Sequence, residues 1–277
     1  MLFTKVQGLG NDFVLVEALA GPPPGDLAQL ARDVCDRHFG VGADGLVLLL
    51  SSSVADLQMR IFNADGSEAE MCGNVIRCIG KYAYEHGCCR RDQISVETPA
   101  GIRCIGLHLA GDKVQAVTVD MGNPILDPVR ISIRTARHPA VLVPVPGQEE
   151  VYRVTAVSMG NPHAVVFVPD ISKVDLARQG SFLERHPIFP RGANVEFAQV
   201  IDAGLVKVRV WERGVGETLA CGTGACAVGV AGVLNGLTEE QLWVELPGGR
   251  LHINWRNQQR VWMTGPAEEV FQGQWSI

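Results

Sequence analysis

The chain has 277 residues, 47% hydrophobic and 19% charged, with 24 Lys and Arg against 30 Asp and Glu for a net charge of −6. That length and composition fit a soluble globular protein of two domains, each able to bury its own core. No apolar run approaches the ~20 residues of a membrane span, and no basic run offers a surface for nucleic acid or an anionic membrane.

Met1 to Val6 enters strand-like sequence at once, which predicts a chain without a signal or transit peptide. Val6 to Val16 reads as a strand interrupted by the glycine-rich turn Gly8-Leu9-Gly10-Asn11. After Pro22-Pro23-Pro24, Asp26 caps a helix over Leu27 to Arg37 with Leu27, Leu30, Ala31 and Val34 on one face. Gly40 to Asp44 is a turn, and Leu46 to Leu50 and Leu57 to Phe62 are strands. A helix over Val75 to His86 stops at Gly87. The second half repeats the order: a strand at Val165 to Val168, a helix at Val174 to Arg185, and strands at Asn194 to Ala198 and Val206 to Trp211. Gly224 to Leu234 is a helix apolar on nearly every side, so it must be buried, wrapped by sheet. These elements predict an α+β chain with a domain break near Met121-Gly122-Asn123-Pro124. The segment after Gly265-Pro266 returns to the first domain, giving domains of residues 1–121 plus 266–277 and 122–265.

The two halves share a frame. Arg60, Asn63, Glu68 and Cys72-Gly73-Asn74 recur as Arg209, Glu212, Glu217 and Cys221-Gly222-Thr223, at an offset of 149 residues. Upstream, Gly10-Asn11 matches Gly160-Asn161 and Ala43-Asp44 matches Ala193-Asn194, at an offset of 150. A half-chain period indicates two related domains rather than a solenoid. If the halves face each other, they bring one thiol each to opposite sides of a shared cleft. That suits removing a proton from one face of a carbon and returning one to the other, the work of a racemase or epimerase.

Both cysteines fall at helix starts, where unpaired N–H groups and the macrodipole favour a thiolate over the ordinary thiol. Gly73-Asn74 and Gly222-Thr223 offer backbone N–H groups to a carboxylate. Each such aimed donor is worth on the order of 3 kcal/mol when charge builds up in a transition state. Cys78 and Cys226 belong to buried faces of the same helices, and Cys35 and Cys104 read as core. Cys88-Cys89 beside His86 lacks metal-ligand spacing, so no metal is expected. Eight scattered cysteines indicate reduced thiols in cytoplasm. Asn11, Asn63, Asn161 and Asn194 are candidate cleft residues, and Glu212-Arg213 lies between a strand and Cys221. His163 stands where the first half has Phe13, a break in symmetry that suggests a separate role in setting a thiol's protonation state.

Six stretches then show that the chain resembles the diaminopimelate epimerases, which use no pyridoxal phosphate. They are Gly8 to Phe13, Asn63 to Glu68, Met71 to Asn74, Gly160 to His163, Ala193 to Phe197 and Glu212 to Gly224. The resemblance implies two pseudosymmetric domains, each a mostly antiparallel β-sheet rolled around a central helix, with the active site between them. It implies interconversion of L,L- and meso-diaminopimelate without a cofactor, in a homodimer. Cys72 would take the α-proton of the L,L isomer and Cys221 would deliver one to the other face. His163 and Glu212 would tune the thiols. Arg213, with Asn63, Asn161 and Asn194, would hold the distal carboxylate, and Asn11 would contact the substrate. Gly73, Asn74, Gly222 and Thr223 would hold the reacting carboxylate.

Two positions depart from the pattern. Val75 follows Cys-Gly-Asn where many members have glycine, adding bulk while keeping its N–H. Gly45 follows Asp44 where some members have glutamine, and the missing side chain could loosen substrate selectivity. The nearest rival is a proline racemase or hydroxyproline epimerase. Those enzymes usually carry histidine where this chain has Asn74, and they lack an arginine in the setting of Arg213. A rival of another class, a redox or zinc-binding thiol protein, predicts a reversible Cys72–Cys221 disulfide or bound metal.

Overall fold

The turn before Asn11 splits the first expected strand into β1 (Leu2–Gly8) and β2 (Asn11–Glu17), paired antiparallel with Thr4 opposite Leu15. β1 takes in the strand-like start of the chain from Leu2, and its other edge pairs with a strand from the far end of the sequence, Phe3 opposite Gly273. Helix α1 (Leu27–Cys35) follows, its cap Asp26 accepting from the Ala28 N–H at 2.9 Å. β3 (Gly45–Leu50) then runs parallel to β2, and β4 (Leu57–Asn63) returns antiparallel, with β5 (Glu68–Ala69) folded back on it. Helix α2 (Gly73–Glu85) leads to β6 (Gln93–Thr98), parallel to β4, and on to β7 (Gly101–Ala110) and β8 (Lys113–Asp120).

The next stretch opens with α3 (Pro128–Ile131) and β9 (Val143–Pro146), then repeats the same pairing order. β10 (Val151–Ser158) pairs antiparallel with β11 (Pro162–Phe167), which runs parallel to β12 (Asn194–Asp202). α4 (Leu176–Glu184) lies between β11 and β12, as α1 does between β2 and β3. The expected helix from Val174 is shorter because Asp175 caps it, after a 3-10 turn at Ile171–Lys173. β13 (Leu205–Glu212), its return strand β14 (Gly216–Thr218), α5 (Gly222–Leu234), β15 (Gln241–Leu246) and β16 (Gly249–Asn254) match β4 to β7 and α2 in order and pairing. In β17 (Trp262–Gly265) the chain passes back to its first part, which β18 (Glu268–Gln274) completes beside β1.

The computed structural model describes residues 1–147 and 150–276. Contacts divide the chain into two units, Met1–Asp120 with Thr264–Ile277, and Met121–Met263. Each is an α+β layer structure in which a mostly antiparallel sheet carries a helix on either face.

Strand alternation decides which helix each side chain meets. In the first unit Val14, Val16, Leu46, Leu48 and Phe62 pack under α1 with Leu30, Ala31 and Val34. Phe13, Leu15, Val47 and Leu49, equally buried, take the opposite face with α2. In the second unit Val166, Val195 and Phe197 pack with Leu176 and Leu183 of α4. The other face of that sheet carries α5, in contact with β10, β11, β12, β15 and β16. Ten of the thirteen α5 residues are buried, as an all-round apolar helix requires.

Strand register also corrects the alignment of the halves. Gly45 lies opposite Phe13, and Asn194 lies opposite His163. Gly45, not Asp44, therefore occupies the place of Asn194, and the one-residue slip falls between β2 and β3. A Cβ at Gly45 would lie 2.7 Å from the Phe62 carbonyl oxygen and 3.3 Å from the Phe13 ring, so close packing rather than an open pocket accounts for the glycine.

Candidate active site

Cys72 is the cap residue of α2 and Cys221 that of α5. Both have extended backbone, and their carbonyls accept the first helical bonds, from Ile76 at 3.1 Å and Ala225 at 2.9 Å. Neither residue caps through an oxygen, as Ser or Asp would, so the first-turn N–H groups keep their capacity for an anion. In both units a tight hairpin brings the chain from the strand to the cysteine. Arg60 grips Glu68 at 2.7 and 2.9 Å, and Arg209 grips Glu217 at 2.9 and 3.1 Å. These four repeated residues therefore brace the hairpins rather than serve the chemistry.

In the first unit the Cys72 sulfur faces Asn11 Oδ1 at 3.8 Å, and Asn74 Nδ2 donates to the same oxygen at 3.2 Å. Asn11 donates its own Nδ2–H to Asp44 Oδ2 at 2.6 Å, and Arg37 holds Asp44 and Asp12. Lys5, buried, completes that network through Asp12 and the Gly42 carbonyl. Beneath the helix start Arg77 is fully buried and donates to the Gly73 carbonyl at 2.9 Å, to Asn74 Oδ1 at 3.0 Å and to the Pro266 carbonyl at 3.0 Å. Gly73, Asn74 and Asn11 thus gather at Cys72. Asn63 lies at the hairpin, exposed, donating to Ser67 at 2.9 Å.

In the second unit Cys221 is buried, with its sulfur 3.5 Å from Thr223 Oγ1. Burial pushes its thiol well above the ordinary value, the carboxylates of Glu212 and Glu196 push the same way, and the Thr223 hydroxyl and Gly224 N–H do not offset them. This corrects the expectation of a thiolate-favouring helix start at Cys221: desolvation and two nearby carboxylates outweigh the helix. Glu212 is itself raised by burial, against the Thr218 hydroxyl, 2.6 Å away, and the Cys221 thiol. Asn161 donates to Thr223 Oγ1 at 3.3 Å and faces His163 Nε2 with its Oδ1 at 3.0 Å. His163 Nδ1 lies 2.7 Å from Glu196 Oε1, both side chains fully buried. Asn194 accepts from the Arg213 backbone N–H at 3.0 Å, and Arg213, exposed, donates Nη1–H to the Arg191 carbonyl. Glu184 steadies that turn through Gly214 N–H and Trp211 Nε1.

In the second unit Gly222, Thr223, Glu212, Asn161 and His163 thus lie around Cys221, while Asn194 and the backbone of Arg213 meet each other and the Arg213 guanidinium turns to the Arg191 carbonyl. Sequence reasoning missed Arg77, Asp44 and Glu196. An arginine on the otherwise buried face of α2, and a glutamate on the helix-facing side of β12, were the available signals. Cys104, expected in the core, is exposed, because it lies on the outward face of β7. Among the described residues no group of three or more His, Cys, Asp or Glu side chains is placed to hold a metal ion.

The family model described as diaminopimelate epimerase matches residues 3–126 and 155–270. The chain belongs to the diaminopimelate epimerase family. A diaminopimelate epimerase of Desulfovibrio desulfuricans is 52% identical over 284 residues, covering 99% of this chain and 98% of that relative. Among solved structures the fold resembles a Bacillus anthracis phenazine biosynthesis protein of the PhzF family, at a TM-score of 0.72 and 17% identity, covering 100% of this chain and 99% of the other. It also resembles a hydroxyproline epimerase of Agrobacterium vitis, at 0.71 and 17%, covering 99% and 91%. At such identities these two similarities speak for the fold alone.

Proposed function

We propose that this chain interconverts L,L- and meso-diaminopimelate by two-thiol proton transfer at one α-carbon. One observation carries the reading: each unit ends the same strand–hairpin frame in a Cys-Gly helix start beside an asparagine. In one the cysteine sulfur points at the Asn11 carbonyl oxygen, which would accept its proton as an S–H donor, and in the other burial and carboxylates raise the thiol. Cys72, as thiolate, takes the α-proton of the L,L isomer, and Cys221, already a thiol, gives a proton to the opposite face. The roles reverse in the return direction.

The reacting carboxylate accepts from backbone N–H groups at Gly73, Asn74, Gly222 and Thr223, which stabilise the charge that develops as the C–H bond breaks. Glu212 and His163 tune the thiols, and Asn11 contacts the substrate. Arg213, with Asn63, Asn161 and Asn194, binds the distal carboxylate, so that the remote centre must be L. The thiols and N–H groups supply this chemistry without a cofactor. The reading carries with it a homodimer, supported by the exposed Val270 and Phe271 of β18, and a reducing, cytoplasmic setting, supported by eight scattered cysteines. No helix among the described residues is long and apolar enough to cross a membrane.

Incubation of the reduced protein with L,L-diaminopimelate in heavy water tests this. Deuterium uptake at one centre with meso product, lost in both Cys72→Ala and Cys221→Ala, is the expected result. Turnover of proline or hydroxyproline instead would sink the assignment of Arg213 and move the chain to the rival class of substrate.

A further inference from the structure

The two helix starts differ most in what lies behind the cysteine. Beside Cys221 the positions are His163 on β11, Glu196 on β12 and Gly224 in the first turn of α5. Their counterparts beside Cys72 are Phe13, Val47 and Val75, all buried and all apolar. The three polar positions form a matched set. A Cβ at residue 224 would meet Glu196 Oε1 at 2.7 Å, so glycine there makes the room that the carboxylate fills. Glu196 Oε1 in turn lies 2.7 Å from His163 Nδ1, and its Oε2 is buried with no hydrogen-bond partner among the described residues. An apolar set packs this frame in the first unit, so fold alone does not require a buried charged pair in the second. A carboxylate oxygen left unpaired costs stability there.

The hydrogen-bond directions say what the pair does. Asn161 spends its Nδ2–H on Thr223, so its Oδ1 is the end that faces His163 Nε2 at 3.0 Å. An oxygen acceptor therefore lies at each ring nitrogen, and both positions must carry a proton. One is donated from Nε2 to Asn161, and the other is shared between Nδ1 and Glu196, whichever atom holds it. With no lone pair on Nε2, His163 is a donor and not a base. Among the described residues, the other titratable side chains that interact with the pair are Glu212 on β13 and Cys221 at the start of α5.

We infer that Glu196 is a positioning residue for the reaction: it keeps His163 a two-proton unit, which locks the Asn161 amide with its N–H2 toward Thr223 at the Cys221 helix start. The inference rests on the proposed epimerase function for its kinetic consequence but not for its structural one. Without Glu196, His163 carries one ring proton, Asn161 is free to turn, and the side chain next to Cys221 loses its fixed donor.

Imidazole-¹⁵N NMR of the full chain tests this, with His163→Gln assigning one of the seven histidines. The expected wild-type spectrum shows a proton on His163 Nε2 and a second one held between Nδ1 and Glu196, and Glu196→Gln leaves the ring a single proton that is no longer fixed at Nε2. In parallel, Glu196→Gln lowers kcat on L,L-diaminopimelate by about 10- to 100-fold, as removal of a partner that orients a functional imidazole does, with KM within about twofold. A wild-type His163 without a proton on Nε2 overturns the inference, and so does a folded Glu196→Gln chain with unchanged kcat. If Glu196→Gln does not fold, the wild-type spectrum still decides. The combination His163→Phe, Glu196→Val and Gly224→Val, which copies the first unit, is expected to fold and be inactive; retained activity overturns the inference. Wild-type inactivity on diaminopimelate would refute the proposed function and leave the spectral result standing.

Discussion

Asn11 donates its Nδ2–H to Asp44 Oδ2 at 2.6 Å, which turns its carbonyl oxygen toward the Cys72 sulfur 3.8 Å away. Asn161, its counterpart, is turned the other way, donating Nδ2–H to Thr223. One asparagine thus turns its oxygen toward a cysteine, and the other turns its N–H toward Thr223, whose hydroxyl lies 3.5 Å from the Cys221 sulfur. Asp44→Ala removes the anchor of Asn11 while leaving the Asp44 backbone carbonyl, which accepts from Ala64 at 3.2 Å, in place. The expected outcome is a kcat on L,L-diaminopimelate lower by about tenfold, the equivalent of one lost charge-assisted hydrogen bond. Steady-state rates with chiral product separation read it, and an unchanged rate would show that Asn11 is oriented by something else.

Cys221 is expected to resist alkylation. Its thiol is raised, so the reactive thiolate is scarce at pH 7 and grows only as pH climbs past the ordinary thiol range. Iodoacetamide labelling mapped by mass spectrometry should leave Cys221 largely unmodified at neutral pH. Glu212→Gln removes the larger of the two carboxylate contributions, so labelling of Cys221 should then begin at lower pH. An onset that stayed put would assign the effect to burial alone.

Gly224 and Val75 hold the same place in their helices, and the same replacement should destabilise each for the opposite reason. Gly224→Ala forces a methyl against Glu196 and is expected to destabilise by about 1–3 kcal/mol. Val75→Ala empties buried space and is expected to cost about 2 kcal/mol. Only the first should also disturb the ¹⁵N signals of His163. Thermal unfolding with that spectrum as a second channel separates crowding from cavity.

Acid should loosen α2 through Glu85. Burial opposes its charge, but Lys81, the Val114 N–H and Lys113 win and hold the carboxyl at about 2. A value depressed on folding contributes stability in full above the unfolded value and loses it as pH falls toward the folded one. Stability should therefore decline between about pH 4.5 and 2 by about 2 kcal/mol from this residue alone. Denaturant titrations of Glu85→Gln should show a flatter decline over the same window. An identical slope in both proteins would remove Glu85 from the account.

The helix starts at Cys72 and Cys221 were legible because a strand, a glycine turn and Cys-Gly announce them in order. The short helices α1 and α4 were legible from Asp26 and from the apolar spacing after Val174. The strand character of Leu2 to Val6 was legible too, but its partner β18 was not, since that pairing joins the two ends of the sequence. The register slip also lay beyond a linear comparison: Ala43-Asp44 resembles Ala193-Asn194 in type, yet strand pairing sets Gly45 against Asn194. Glu196 was hidden for a related reason. On a strand of alternating residues a glutamate reads as solvent-facing, and only β12 lying between β11 and β13 turns it inward onto His163. Arg77 looked like a surface charge on a helix whose other side chains decided its face.

The return of the chain through β18 has a consequence for how the molecule comes into being. The unit that carries Cys221 is one unbroken stretch and has all its strands as soon as residue 263 has left the ribosome. The unit that carries Cys72 is synthesised first yet stays unfinished. β1 waits along one edge for β18, and Arg77 waits for the Pro266 carbonyl. The unit that starts first in the sequence is therefore the last to have all its strands made. Through most of its synthesis the nascent polypeptide holds an open sheet edge that it must protect from other partners until its own last strand arrives.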